Sequence, residues 1–185
     1  MHEQTPAPLL LPTPPQGEEA RVEAVFRHVE AHLGMVPDGL RLYGISPDLL
    51  DSFLSGVSYF LGHKRLSQEL LTMIRYLASE RVGCRFCISL NEARLAQLGV
   101  SLEAAQAARD DLDRAPISER ERPLLRLALK GVTDPDAVQA ADLDAARAQG
   151  WSDRDLFDVV ALAANNRAFT LVLKTFKVEQ QGAFA

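Results

Sequence analysis

From residue 18 onward, apolar residues recur every three or four positions, and this period is the main constraint on the fold. Such spacing places apolar side chains on one face of an α-helix, whereas a half-buried strand requires strict alternation. No alternating stretch of five to eight residues bounded by hairpin turns occurs in the chain. The sequence therefore predicts an all-α fold, a bundle of about eight to nine helices.

Start and stop residues divide this periodic sequence into separate helices. Ser67 and Ser101 are expected N-caps, and glycines follow several of the apolar stretches, as they do at helix ends. Capping pairs are expected where an acidic residue stands three positions after a serine, at Ser118 with Glu121 and at Ser152 with Asp155. In the first helix, the core face is expected to carry Val22, Val25, Phe26, Val29 and Leu33. The last helix is expected to reach about Val178.

The length of 185 residues is that of one domain. Residues 1–17 contain five prolines, which cannot donate backbone hydrogen bonds, so this stretch is expected to be an extended or disordered arm. Residues 18–185 are then expected to form a single helical domain.

Composition and charge argue against several classes of protein. The chain has 20 basic and 25 acidic residues and a formal charge of −5, without the basic excess of a nucleic-acid-binding protein. No uninterrupted apolar run approaches the roughly 20 residues of a membrane span. The N-terminal stretch has no basic start and only three consecutive leucines, unlike a secretory signal. We expect a cytoplasmic protein that binds neither nucleic acid nor membrane.

The two cysteines of the chain, Cys84 and Cys87, are spaced for redox chemistry. Gly83 is expected to end one helix and Cys84 to begin the next, so the two thiols lie on one side of a helix start. The unpaired N–H groups and partial positive charge there favour a thiolate, which is the reactive form. The alternative is a pair of inert core cysteines. The strand–helix pattern of a thioredoxin-like motif is missing.

A second possible use of these cysteines is metal binding. His28 and His32 are four residues apart on the first helix, and with Cys84 and Cys87 they make up the ligand types of a Cys₂His₂ zinc site. The two halves are more than 50 residues apart, and a chain of this length does not need a metal to hold its core together. The alternative places both histidines on a partly solvated flank of the helix.

Several segments resemble the AhpD-like (carboxymuconolactone decarboxylase-like) superfamily, and its peroxidase-related branch most closely. The resemblance begins at residues 66–74 and continues through the cysteine pair and residues 99–101, with the sequences LSQELLTMI, CRFC and GVS. It continues at residues 122–128, 150–153 and 164–167, with the sequences RPLLRLA, GWSD and ANNR. Together these segments cover nearly the whole chain between residues 20 and 178.

This resemblance implies an all-helical fold, a homo-oligomer (dimer, trimer or hexamer) and a thiol-dependent hydroperoxide reductase. In the family the second cysteine attacks the peroxide and becomes a sulfenic acid, and the first cysteine resolves it as a disulfide. These roles map onto Cys87 and Cys84 respectively. A dithiol partner such as a lipoyl domain then reduces the disulfide, and neither a cofactor nor a resident metal is implied.

The chain departs from the family pattern in its proton relay. The family has a Glu 12 residues before the first cysteine and a His four residues after the second, where this chain has Thr72 and Asn91. Neither is a general base near neutral pH, although Glu80 could take over that role or be an ordinary exposed charge. The alternative function is a non-catalytic redox sensor or scaffold. Residues 165–167 (Asn165, Asn166, Arg167) are expected either to line the site or to satisfy backbone groups between helices.

Overall fold

The computed structural model describes residues 7–184, and this part of the chain contains nine α-helices and no β-strand. The all-α prediction and the predicted number of helices are therefore confirmed. The helices are α1 (Glu19–Leu33), α2 (Asp38–Tyr43), α3 (Pro47–Leu61), α4 (Gln68–Val82), α5 (Arg85–Gln97), α6 (Leu102–Asp110), α7 (Arg122–Thr133), α8 (Ala140–Arg147) and α9 (Asp153–Thr175). Three short 3₁₀ helices lie at Leu112–Arg114, Glu119–Glu121 and Pro135–Ala137.

The predicted N-caps are found where the sequence placed them. Ser67 Oγ accepts the backbone N–H of Leu70 at 3.0 Å, and Ser101 caps α6 in the same way. The Ser118 and Ser152 pairs are closed by hydrogen bonds from each serine to the carboxylate three residues later. Each of these caps satisfies N–H groups that the first helical turn leaves without a partner.

Two local predictions were wrong, and one helix was not predicted. That helix is α2, whose six residues begin directly after Pro37. The last helix ends at Thr175 and not at Val178, because Lys177 adopts a left-handed backbone with φ of 61°. Leu33 is 54% exposed, because it lies in the last turn of α1, and only Val22 and Val29 of its predicted core face are fully buried.

The predicted arm is partly covered by the structure. Residues 1–6 lie outside the described residues. Residues 7–17 contain neither helix nor strand, and the backbone N–H of Leu9 donates to the carbonyl oxygen of Phe176 at 3.0 Å. Leu9 and Leu11 remain mostly exposed.

The chain divides into two compact units, with the boundaries inside α3 and α9. Among the described residues, the first unit comprises residues 7–59 and 172–184. Its core packs Val29, Leu40 and Leu50 together with the rings of Phe26 and Phe53. Asp38, at the start of α2, accepts the backbone N–H groups of residues 182 and 183 at 2.7 and 2.8 Å, which holds the C-terminal segment against this unit.

The second unit comprises residues 60–171 and contains the cysteines. Its core is built around α4, which packs mainly against α5 and α7. Fully buried core residues on α4, α7 and α9 include Leu70, Leu71, Met73, Ile74, Tyr76, Leu124, Leu125, Ala128, Leu129, Val159 and Ala163.

One described helix, α9, is long and apolar enough to cross a membrane by length and composition. Leu156, Val159, Leu162 and Ala163 of this helix are buried in the core of the second unit. The central helix of a soluble protein passes the same test, so this property alone does not indicate a membrane protein.

Candidate active site

The two cysteines lie at the turn between α4 and α5. Gly83 ends α4 with φ of 67° and ψ of 36°, a left-handed conformation that glycine adopts without a steric penalty. Cys84 follows in an extended conformation, and α5 begins at Arg85. Cys84 is therefore the N-cap of α5. The sequence had predicted it to be the first helical residue.

Cys84 caps α5 with its sulfur. The backbone N–H of Cys87 donates to Cys84 Sγ at 3.4 Å, the bond that a serine or aspartate oxygen makes at other N-caps. Both cysteines are free thiols, and they are 0% and 3% exposed. The donated N–H and the positive end of the helix dipole both stabilise negative charge on Cys84 Sγ.

Cys87 has two side-chain partners at its sulfur. A hydrogen bond with the Cys84 sulfur and burial both raise the pKa of the Cys87 thiol, and a hydrogen bond from Thr170 acts in the opposite direction. The hydroxyl of Thr170 lies 3.6 Å from Cys87 Sγ. The N–H that Cys87 donates to Cys84 Sγ at the start of α5 favours Cys84 as the holder of a single negative charge on the pair.

The two residues at the family's relay positions are buried, but their side chains bond to their own helices. Asn91 Nδ2 donates to the carbonyl oxygen of Cys87 at 2.7 Å. Thr72 Oγ1 donates to the carbonyl oxygen of Gln68, also at 2.7 Å. In these positions neither side chain donates to a cysteine sulfur.

Glu80 is held in an ion pair. Its carboxylate lies 2.5 Å from Arg109 Nη2, and the same guanidinium contacts Glu92 at 3.2 Å and the hydroxyl of Tyr76 at 2.7 Å. The side chain of Glu80 is 23% exposed and pairs with an arginine. It is therefore neither an exposed surface charge nor a carboxylate that is available as a base, the two alternatives that the sequence left open.

The late segment on α9 joins helices together. Asn166 Nδ2 donates to Ser79 Oγ at 3.0 Å and to the carbonyl oxygen of Arg75 at 3.4 Å. Arg167 donates to the carbonyl oxygen of Val132 on α7, whereas Asn165 is exposed. Of the two expected roles, the satisfaction of groups on neighbouring helices therefore describes Asn166 and Arg167.

Sequence reasoning missed Thr170, which is 0% exposed. Its signal was present in the helical period, because Thr170 stands four residues after Asn166 and so lies on the same face of α9. The residue type gave no indication, since a threonine in an apolar helix is usually a packing residue.

The histidines of the alternative zinc site lie on the surface of α1. Among residues 7–184 no group of three or more histidine, cysteine or acidic side chains is placed to hold a metal ion. His28 and His32 are exposed on α1, with ring centroids 4.4 Å apart, and His32 Nδ1 contacts the carbonyl oxygen of His28. Both histidines therefore lie on a solvated flank of α1, as the alternative to a zinc site had predicted.

A surface pocket of about 500 Å³ lies elsewhere in the second unit, between α7, α8 and α9. It is lined mainly by apolar side chains, including Leu127, Leu143 and Phe157, with Arg147 and Asp153 at its polar side. Neither cysteine contributes to its lining, so it is separate from the dithiol.

No protein-family model matches the sequence, and no curated protein matches it. Comparison with solved structures does find matches over nearly the whole chain. A peroxidase-related protein from Silicibacter sp. TM1040 is 24% identical with a TM-score of 0.80, covering 95% of this chain and 92% of that one. An AhpD-core peroxidase-related protein from Ralstonia eutropha JMP134 is 23% identical with a TM-score of 0.76, covering 89% and 87%.

The debrominase Bmp8 is a further match, at 25% identity and a TM-score of 0.74, covering 94% of this chain and 93% of Bmp8. A cysteine-to-alanine variant of Bmp8, at 24% identity and a TM-score of 0.70, was solved in complex with 2,3,4-tribromopyrrole, covering 89% of this chain and 90% of that one. The chain therefore has the AhpD-like helical fold, and the resemblance seen in the sequence is confirmed at this level.

Proposed function

From the AhpD-like fold of this chain, we propose that it is a hydroperoxide reductase that works through a Cys84/Cys87 dithiol–disulfide cycle. One observation carries the proposal. Cys84 Sγ accepts the Cys87 N–H at the start of α5, which brings two free thiols together where a helix N-terminus stabilises negative charge.

The first step is the attack of Cys87 on the hydroperoxide. Cys84, as the thiolate, takes the proton of Cys87, and the Cys87 sulfur forms a bond to the terminal oxygen of ROOH while the O–O bond breaks. The alkoxide leaves and takes the proton back from Cys84 as ROH. The products are a Cys87 sulfenic acid, an alcohol and a Cys84 thiolate.

The second step forms the disulfide. The Cys84 thiolate attacks the sulfur of the Cys87 sulfenic acid, hydroxide leaves, and the S–S bond closes between residues i and i+3. An external dithiol, which we propose to be a lipoyl domain, then reduces the bond by two thiol–disulfide exchanges and is itself oxidised to a disulfide.

This cycle accounts for the missing family relay. Cys84 accepts the proton of Cys87 and returns it, so a nearby Glu–His pair is not required for the proton to move. Thr72 and Asn91, which bond to their own helices, leave that exchange undisturbed.

A second candidate function is reductive dehalogenation of an aromatic compound. It is favoured by the match to the debrominase Bmp8 and by the brominated pyrrole bound to a cysteine variant of that protein. The balance would be one dithiol and one aryl bromide giving the aryl hydrogen compound, the protein disulfide and HBr.

A non-catalytic redox sensor would form the same disulfide without turnover. For each of these functions we propose a cytoplasmic homo-oligomer.

Peroxide consumption with dihydrolipoamide or dithiothreitol as reductant tests the proposal. We expect turnover by the natural chain, none by Cys87→Ser, and natural rates in Thr133→Val, a control change at an exposed helix hydroxyl on α7. Bromide release from 2,3,4-tribromopyrrole, without peroxide turnover, would favour dehalogenation. Disulfide formation that stops after one equivalent of peroxide in the presence of reductant would favour the sensor.

A further inference from the structure

Thr170 lies on α9, and its side chain reaches the dithiol. Its side chain is 0% exposed, and its hydroxyl donates to Cys87 Sγ at 3.6 Å, a length suited to the large sulfur atom. The backbone N–H of Cys87 donates to Cys84 Sγ and also lowers the pKa of the Cys87 thiol, whereas Asn91 donates to the Cys87 carbonyl oxygen and not to the sulfur.

The position of Thr170 is fixed by the contact between α9 and α4. Asn166, one turn earlier on the same face of α9, donates to Ser79 Oγ and to the carbonyl oxygen of Arg75. Ser79 Oγ in turn donates to the Arg75 carbonyl oxygen at 2.7 Å. The carbonyl oxygen of Ser79 accepts the backbone N–H of Cys84 at 3.3 Å, so the same turn of α4 positions both α9 and the start of α5.

We propose that Thr170 is a catalytic residue of this site, whose hydroxyl stabilises the negative charge on Cys87 sulfur during its attack. This inference rests on the proposed function, since it concerns the same dithiol. Thr170 neither gives nor takes a proton in this role. It stabilises the Cys87 thiolate that forms when the proton of Cys87 moves to Cys84. In that step the negative charge moves from Cys84 Sγ, at the helix cap, to Cys87 Sγ.

A buried anion with few donors depends strongly on each of them. A hydrogen bond to a charged group corresponds to about a tenfold effect or more on an ionisation equilibrium. Removal of the Thr170 hydroxyl should therefore reduce the thiolate population of Cys87 about tenfold at a pH below its midpoint.

Two substitutions at this position separate the hydroxyl from its packing. Thr170→Val keeps the shape of the side chain and removes the donor, whereas Thr170→Ser keeps the donor and removes a methyl group. We expect the peroxide-dependent loss of thiols near pH 7 to slow about tenfold in Thr170→Val, and the serine variant to stay within about threefold of the natural chain. Thr133→Val controls for the loss of a helix hydroxyl.

A titration that involves no peroxide tests the inference independently of the proposed function. In a Cys84→Ser background, Cys87 is the only thiol, and the ultraviolet absorbance of its thiolate reports its ionisation. We expect Thr170→Val to raise the midpoint by about one pH unit and Thr170→Ser to leave it nearly unchanged.

Equal midpoints for the valine and serine variants would overturn the inference, as would a larger shift for serine than for valine, because packing would then explain the effect. The expected midpoints in a chain that consumes no peroxide would support the Thr170 interaction and contradict the hydroperoxide reductase. Expected midpoints with an unchanged peroxide rate in Thr170→Val would overturn the catalytic role.

Discussion

Arg109 Nη2 lies 2.5 Å from the carboxylate of Glu80, and this ion pair limits what Glu80 can do in the site. The guanidinium is shared with Glu92 and stacks over the ring of Tyr76, with 5.2 Å between its central carbon and the ring centroid. A carboxylate held in this way would have to leave its cation before it could accept a proton from a thiol.

We therefore expect Glu80→Gln to change the peroxide rate less than about twofold, because in the proposed cycle Cys84 and not Glu80 receives the proton of Cys87. Glu92→Gln is the matched control, since its side chain is equally exposed and contacts the same arginine. Steady-state peroxide consumption measures both variants. A loss of a hundredfold in Glu80→Gln alone would identify Glu80 as the general base.

Single cysteine substitutions test the proposed division of roles. Cys87→Ser is expected to abolish peroxide-driven thiol loss, because it removes the attacking sulfur. Cys84→Ser is expected to leave Cys87 as a trapped sulfenic acid, detectable with a dimedone-type reagent and mass spectrometry. The reverse pattern would assign the attack to Cys84.

Restoring the family relay is expected to increase the rate. The double change Thr72→Glu with Asn91→His supplies a general base at the two relay positions, and a well-placed base contributes about 10²- to 10⁴-fold. We expect a gain of at least about tenfold near pH 7, with a lower melting temperature because Thr72 is 1% exposed. A folded double variant with an unchanged rate would contradict this prediction and would show that an added base does not improve on the proposed proton exchange within the cysteine pair.

Asp155 is expected to make the free energy of unfolding depend on pH in the acidic range. Burial raises the pKa of Asp155, but hydrogen bonds from Ser152 and from Arg65, the latter at 2.9 Å, outweigh it and hold the pKa below its ordinary value. As the pH falls, Asp155 therefore binds a proton in the unfolded chain before it does so in the folded chain. Its contribution to stability is complete above about pH 4 and is lost as the pH falls through the pKa of Asp155 in the folded chain.

Asp155→Asn should accordingly lower the free energy of unfolding by about 1 to 3 kcal/mol at pH 7 and by much less near pH 2. Urea unfolding at the two pH values measures the difference. Asp153→Asn, whose side chain is 78% exposed, serves as the control. Equal losses at both pH values would rule out an electrostatic origin.

The exposed side of α9 is expected to mediate self-association. Phe157 is 72% exposed and Leu171 is 51% exposed, and Ala164 and Ala168 between them are also exposed at helical spacing. We expect Phe157→Asp to dissociate the proposed homo-oligomer in light scattering, and Leu102→Asp on α6 to leave it intact. A natural chain of 20.3 kDa in solution at micromolar concentration would contradict this prediction.

Local signals in the sequence were sufficient for most of the fold. The caps at Ser67, Ser101 and Ser118 depend on residues within three positions of each other, so spacing alone predicts them. The short helix α2 lacks such a signal, because Pro37 precedes it without a side-chain cap and its six residues show too little of a period.

The candidate site was only half predictable for the same reason. Cys84 and Cys87 are neighbours in sequence, and their position at a helix start follows from Gly83. The pairing of Glu80 with Arg109 spans 29 residues, and the contact of Thr170 with Cys87 spans 83 residues. Contacts of this kind depend on how helices pack, which no local pattern determines.

In the proposed dithiol cycle, the use of a sulfur atom as the cap of α5 links the oxidation state of the cysteine pair to the order of a helix end. A thiolate accepts a stronger hydrogen bond than a neutral disulfide sulfur, so oxidation weakens the bond from the Cys87 N–H to Cys84 Sγ. The first turn of α5 should fray more easily in the oxidised chain, and its amide hydrogens should exchange faster with solvent. The buried disulfide would then open toward its reductant when reduction is needed, and the restored thiolate would close the turn again.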